Sequence, residues 1–222
     1  MNSKGGITRN IYIGGQSLEQ VDKFKYLGAI VTNQGSKPEV LARISEDVAA
    51  LTKLRPIWAG KTVTLKTKIR LLRSLVTSVF LYACESWTLT PDLERRIAAF
   101  EMRCYRKLLN ISYKDRVRNE TIREKITRVI GEHDDHIITI RRRKLKWFGH
   151  VVRSTGLTKT CMMGTVRGGR RVGRQRRRWE DNIMEWTGMQ FEECLRSAES
   201  RSRWRELCWR CVVPLRPQGA TG

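Results

Sequence analysis

From Arg141 to Arg178 the chain carries fourteen Lys and Arg residues and not one Asp or Glu, which is +14 of a formal +22. Nothing else in the sequence limits the fold so strongly. Like charges at this density repel one another as a chain condenses, so the stretch cannot close a core around itself. It needs water, acidic partners from elsewhere, or a polyanion.

What surrounds the run favours nucleic acid. Trp147, Phe148 and Trp179 bracket it, and groups of arginine are spaced by glycine. Flat rings and guanidinium planes stack on bases, while ammonium and guanidinium groups take phosphates. A solvated basic loop, or a nuclear-import signal, is the plainer alternative.

A chain of 222 residues with 40% hydrophobic content and seven Trp can bury a core of one large or two small domains. Six cysteines at irregular spacing do not make a disulfide scaffold, and the expectation is a reducing, intracellular compartment, nuclear or cytoplasmic. The first residues hold no apolar signal segment. The uncharged stretch Ser74 to Cys84 falls well short of the roughly 20 residues a bilayer needs, so no membrane partner is expected.

Apolar periodicity divides the chain. Ile11 to Ile13 and Phe24 to Thr32, each bounded by glycine turns, read as short strands. From Ser36 the pattern is helical. Ser36 with Pro38 and Glu39 opens a helix to about Trp58, with a capping box expected. Thr64 to Ala83 presents Leu65, Ile69, Leu72, Val76, Val79 and Ala83 on one face. Thr90 caps a helix with a Leu93, Ile97, Phe100, Cys104, Leu108 stripe that reaches Ile111. A shorter helix runs from about Val117 to Gly131, and another from Asp134 and Asp135, in its first turn, to about Val152. Residues 154–174 read as a Gly/Arg-rich linker, and three short helices follow: Arg177 to Thr187, Gln190 to Ser197 and Ser200 to Val212. Trp87, Trp186 and Trp204 fall on apolar stripes and are expected in the core.

Two clusters invite a metal reading. His133, Asp134, Asp135 and His136 combine imidazole and carboxylate, as a metal-dependent nuclease would require. No second cluster completes the set, and a solvated helix start is the alternative. Cys208 and Cys211 have zinc-knuckle spacing at one end only, and completion would need Cys194, Cys161 or His150 at unusual intervals. Neither a metal nor a cofactor is expected, and there is no phosphate-loop or nucleophile-elbow motif to imply a small-molecule substrate.

Several blocks, in order, resemble the C-terminal portion of reverse transcriptases from non-LTR (LINE-type) retrotransposons. They are Phe24 to Gly28 with Gly35, Leu81 to Trp87, Phe100 to Cys104 running into Arg106 to Leu109, and Arg118 to Glu120. Arg141 to Leu145 with Trp147 to Val151 and Arg153 follow, then Gly173-Arg174, Arg177 to Trp179, Asn182-Ile183, Glu185 to Thr187 and Trp204-Arg205. The resemblance implies that Tyr26, Leu27 and Gly28 form a primer-grip-like turn at the palm edge and that the helices after it form a thumb. The catalytic aspartates of such enzymes would precede Ile11. It therefore implies a truncated copy, an RNA-directed DNA polymerase by family but inactive alone.

The resulting expectation is a mainly α protein: a short N-terminal β-hairpin, a helical thumb bundle and a helical, Arg-rich C-terminal region. Residues 1–35 would be the palm-edge remnant, 36–131 the thumb, 132–153 a basic helix, 154–174 the linker, 175–213 a helical region and 214–222 a disordered tail. The partner would be RNA, DNA or a hybrid duplex. Phosphate contacts are expected from Arg141, Arg142, Arg143, Lys144, Lys146, Arg170, Arg171, Arg174, Arg176, Arg177 and Arg178. Lys66, Lys68, Arg70 and Arg73 would add to them from the thumb. Trp147, Trp179 and His150 are candidate base contacts.

Overall fold

The computed structural model describes residues 12–19, 21–164 and 176–212. The expected Arg170, Arg171 and Arg174 contacts and the 214–222 tail lie outside these residues. The chain is mainly helical, with β-hairpins at the N-terminal end.

Glycine sets the turns of the β region. Strands β1 (Tyr12–Ile13) and β2 (Gln16–Ser17) pair antiparallel across Gly14 and Gly15. Strands β3 (Lys23–Tyr26) and β4 (Ala29–Thr32) pair from Tyr26 opposite Ala29 to Lys23 opposite Thr32. Leu27 and Gly28 between them have φ 46° and 84°, the geometry that lets a two-residue turn follow the strand twist. Glycine adopts it freely. Leucine does not, and outside contacts hold the turn: Tyr82 donates to the Leu27 carbonyl at 3.1 Å and Arg43 to the Gly28 carbonyl at 2.9 Å.

Helices α1 (Lys37–Lys53), α2 (Arg55–Ala59), α3 (Leu65–Leu72), α4 (Ser78–Phe80), α5 (Pro91–Leu108) and α6 (Asn119–Ile130) surround the larger core. The capping box expected at Ser36 and Glu39 does not form, because both side chains serve tertiary contacts. Ser36 accepts from the Thr88 amide at 2.8 Å, and Glu39 accepts from the Ile30 amide and from Arg43. Thr90 does cap α5, accepting from the Leu93 amide. The first expected helix is two helices: α1 closes at Leu54, and Pro56 opens α2.

The stripe expected over Thr64 to Ala83 is broken by a π-helical turn at Arg73–Thr77. A π turn holds an extra residue, so the inward face shifts by one position. Phe80 and Cys84 are buried in place of Val79 and Ala83. Phe80 thereby meets Trp87, Phe100 and His136 with ring centroids 5.0–5.5 Å apart.

Helix α7 (His136–Arg153) joins the two cores. Its Ile140 packs in the larger core, and its Leu145, Phe148 and Val152 pack in a second one. That second core is completed by α9 (Trp179–Thr187), α10 (Phe191–Glu199) and α11 (Arg201–Val212), which supply Ile183, Cys194, Ala198 and Trp204. Part of the expected linker is helical: α8 (Leu157–Met163) follows Gly156, and Met162 packs against the second core. One turn of polar residues separates Leu157 from Cys161, Met162 and Met163, and so short a segment after a glycine start was too weak a signal to read from sequence. No helix among the described residues is long and apolar enough to cross a membrane.

Candidate nucleic-acid interface

The basic helix α7 is half buried. Asp135 caps it, accepting from the Ile138 amide at 2.8 Å. From there His136, Ile140, Lys144, Leu145, Phe148, Gly149, Val151 and Val152 face inward. Arg143, Lys146, Trp147, His150 and Arg153 face solvent.

Lys144 corrects the sequence reading. It is fully buried and cannot reach a phosphate. Its amino nitrogen donates to the Trp87 carbonyl at 2.9 Å and to Asn182 Oδ1 at 2.8 Å, and lies 4.4 Å from the Trp179 ring centroid. Burial pushes its pKa down to about 6, with the nearby Arg177 adding to the effect. Asn182 also exchanges two hydrogen bonds with the Leu89 backbone. Lys144 therefore fastens the two cores together.

Several other expected contacts hold the fold through their head groups. Arg141 pairs with Glu94 at 2.8 Å and lies over the Trp186 ring. Arg143 donates to the Leu81 carbonyl at 3.0 Å, and Arg142 pairs with Asp134. Arg177 pairs with Glu185, Arg178 with Glu180, and Arg176 donates to the Asn33 carbonyl. On α3, Lys68 closes the end of α2 through the Trp58 carbonyl at 2.6 Å, whereas Lys66, Arg70 and the following Arg73 are exposed. Tyr26, Leu27 and Gly28 are exposed at the hairpin tip.

Between α7 and α11 opens a cleft of about 690 Å³. Helix α7 lines it with Arg142, Arg143, Lys146, Trp147, His150 and Arg153; α11 lines it with Arg201, Trp204, Arg205, Cys208 and Trp209. Among the described residues, Glu85 is its one carboxylate. The helices approach closely because position 149 is glycine: a Cβ there would stand 2.4 Å from Cδ1 of Trp204. The buried Trp204 indole donates to the Leu145 carbonyl at 2.8 Å. Trp147 meets Trp179 edge to face at 5.3 Å and stays 36% exposed, while Trp209, with Arg142 over its ring at 4.6 Å, stays 59% exposed.

Arg201, Arg205 and Trp209 were missed as site residues. Their signal is a spacing of four along α11, which puts them on one face, but only the packing of α11 on α7 shows what that face meets. The expected Trp87 and Trp204 core positions are buried, and Trp186 is half-buried between the two cores.

The four residues of the nuclease alternative have separate tasks. His133 contacts the Tyr105 hydroxyl and the Gly131 carbonyl, Asp134 pairs with Arg142, and Asp135 caps α7. His136 is buried beside Glu101, and burial pushes its pKa down to about 4. Burial likewise pushes the Cys208 thiol up to about 12. Among the described residues no group of three or more His, Cys, Asp or Glu is placed to hold a metal ion.

Blocks far apart in sequence meet in pairs: Tyr82 with Leu27, Arg106 with Asn119, Lys144 with Asn182, Gly149 with Trp204. This is the interlocked helical architecture on which the basic cleft is built. In comparisons with known proteins, the chain is 29% identical over 181 residues to an uncharacterized transposon-derived protein of Caenorhabditis elegans. The match covers 78% of this chain but 64% of that relative, less than two thirds of its length, and it points to a transposon-related origin. No protein-family model matches, and no solved structure matches.

Proposed function

We propose that this chain is the nucleic-acid-binding portion of a non-LTR retrotransposon reverse transcriptase, comprising the palm edge, the thumb and a basic C-terminal region. It holds RNA, DNA or their hybrid, in the nucleus or cytoplasm. The observation that carries this reading is the cleft between α7 and α11, where six Lys and Arg side chains and three tryptophans face a single carboxylate among the described residues. Such a surface attracts phosphates and offers rings to bases. The similarity to a transposon-derived protein supports the retroelement part of the reading, as does the order of the motif blocks. The exposed Lys66, Arg70 and Arg73 add further positive charge on the proposed thumb.

A salt titration tests it. The parent chain is expected to bind an RNA–DNA hybrid, duplex DNA and single strands with little sequence preference and steep salt dependence. Replacing Lys146, Arg201 and Arg205 together by Gln should flatten the log–log slope by about 2–3, since each phosphate no longer neutralised removes about 0.7–0.9. An unchanged slope would remove the cleft from the interface.

A further inference from the structure

Within the cleft, the cations that hold the fold and those left over are arranged differently. Arg142 and Arg143 are tied to Asp134 and the Leu81 carbonyl, and Arg153 donates to the Ala198 carbonyl at 2.5 Å. Lys146, Arg201 and Arg205 are exposed, and no bond to another described residue ties their head groups. Arg201 and Arg205 lie one turn apart on α11, eight and four residues before Trp209. One ring face of Trp209 is covered by Arg142 at 4.6 Å, yet 59% of the residue remains in solvent. A guanidinium over an indole that is mostly in solvent makes a preformed stacking platform.

Size narrows the ligand. A cleft of about 690 Å³ falls in the range that encloses a drug-sized molecule, roughly 300–1,000 Å³. That is space for a base and its flanking phosphates. A duplex would keep its bases stacked on one another, with no ring face available to Trp209.

Resting on the nucleic-acid reading above, we propose that this cleft is specific for an unpaired stretch of the strand. One base stacks on Trp209, and the adjoining phosphates meet Arg201, Arg205 and Lys146. RNA and DNA share this chemistry, because the rings and phosphates contacted are common to both.

The test compares the parent chain with Trp209→Ala, binding labelled oligo-dT, oligo-U and a blunt DNA duplex by fluorescence anisotropy across salt. Trp209 is exposed, and an unchanged circular-dichroism melt confirms that the variant folds as the parent does. The variant should lose about 5- to 150-fold in affinity for both single strands, the equivalent of one stacked base. Duplex affinity and the salt slopes should not move, since stacking releases no counterions. If the parent binds every probe and Trp209→Ala changes none, or weakens duplex and single strands alike, the stacking site is overturned and the general nucleic-acid reading stands. A parent chain that binds no probe overturns both.

Discussion

Replacing Gly149 by Ala asks whether α7 and α11 are packed as described. In an open helix interior this exchange stabilises by about 0.8–1.0 kcal/mol, because alanine has less backbone entropy to lose. Here the added methyl would stand 2.4 Å and 2.6 Å from Cδ1 and Nε1 of Trp204, and 3.0 Å from an Arg153 guanidinium nitrogen. The arginine can swing away. The indole cannot: it is buried, tilted against Phe148 at 5.2 Å, and bonded to the Leu145 carbonyl. Overpacking of this kind costs about 1–3 kcal/mol, and displacing the indole forfeits a hydrogen bond of about 1 kcal/mol. After the propensity gain is subtracted, the net loss is about 1–3 kcal/mol. For a chain of this size that lowers the melting temperature by roughly 2–12 °C. Thermal melts followed by circular dichroism would measure it, beside Trp204→Ala and the double variant. On the Trp204→Ala background the clash is gone, so Gly149→Ala should become neutral or stabilising by up to about 1 kcal/mol. A rise in melting temperature for Gly149→Ala alone would refute the packing, and with it the cleft that α11 forms.

Two further outcomes follow from Lys144 and Arg141. Lys144 has its pKa pushed down to about 6 in the fold, so between that value and the ordinary 10.5 the unfolded chain binds more protons than the native one. Stability from this group therefore rises with pH across that window, by up to about 1.4 kcal/mol per unit, and Lys144→Met should flatten the profile of melting temperature against pH; parallel profiles would show that the amino group is not buried. Arg141→Gln should lower the melting temperature, because it leaves the Glu94 carboxylate without its 2.8 Å partner. It should leave the salt slope of nucleic-acid binding unchanged, and a slope flattened by about 0.7–0.9, the share of one phosphate, would return Arg141 to the interface.

Periodicity and charge by themselves determined that the chain is mainly helical, where α5, α6 and α7 run, and that a strongly basic region lies toward the C-terminal half. These are local properties: a stripe at spacings of three and four reports its own helix, whatever lies opposite. Such patterns fail where a neighbour decides the outcome. The π turn at Arg73–Thr77 exchanges Val79 for Phe80 in the core, and no residue in that turn announces it, because the aromatic cluster with Trp87, Phe100 and His136 is what selects the shifted face. Ser36 and Glu39 form a capping box in sequence and serve Thr88, Ile30 and Arg43 in the fold. Charge behaves the same way. The sequence counts Arg141, Lys144 and Lys146 as equals, yet two to five positions along one helix separate an ion pair with Glu94, a fully buried joint to Asn182 and an exposed cation in the cleft. Which face of α7 a residue occupies is periodic and legible, but what each face meets depends on α11 closing against Gly149. That approach, set by one absent side chain, brings Arg201, Arg205 and Trp209 beside Lys146 and Trp147 from more than fifty residues away.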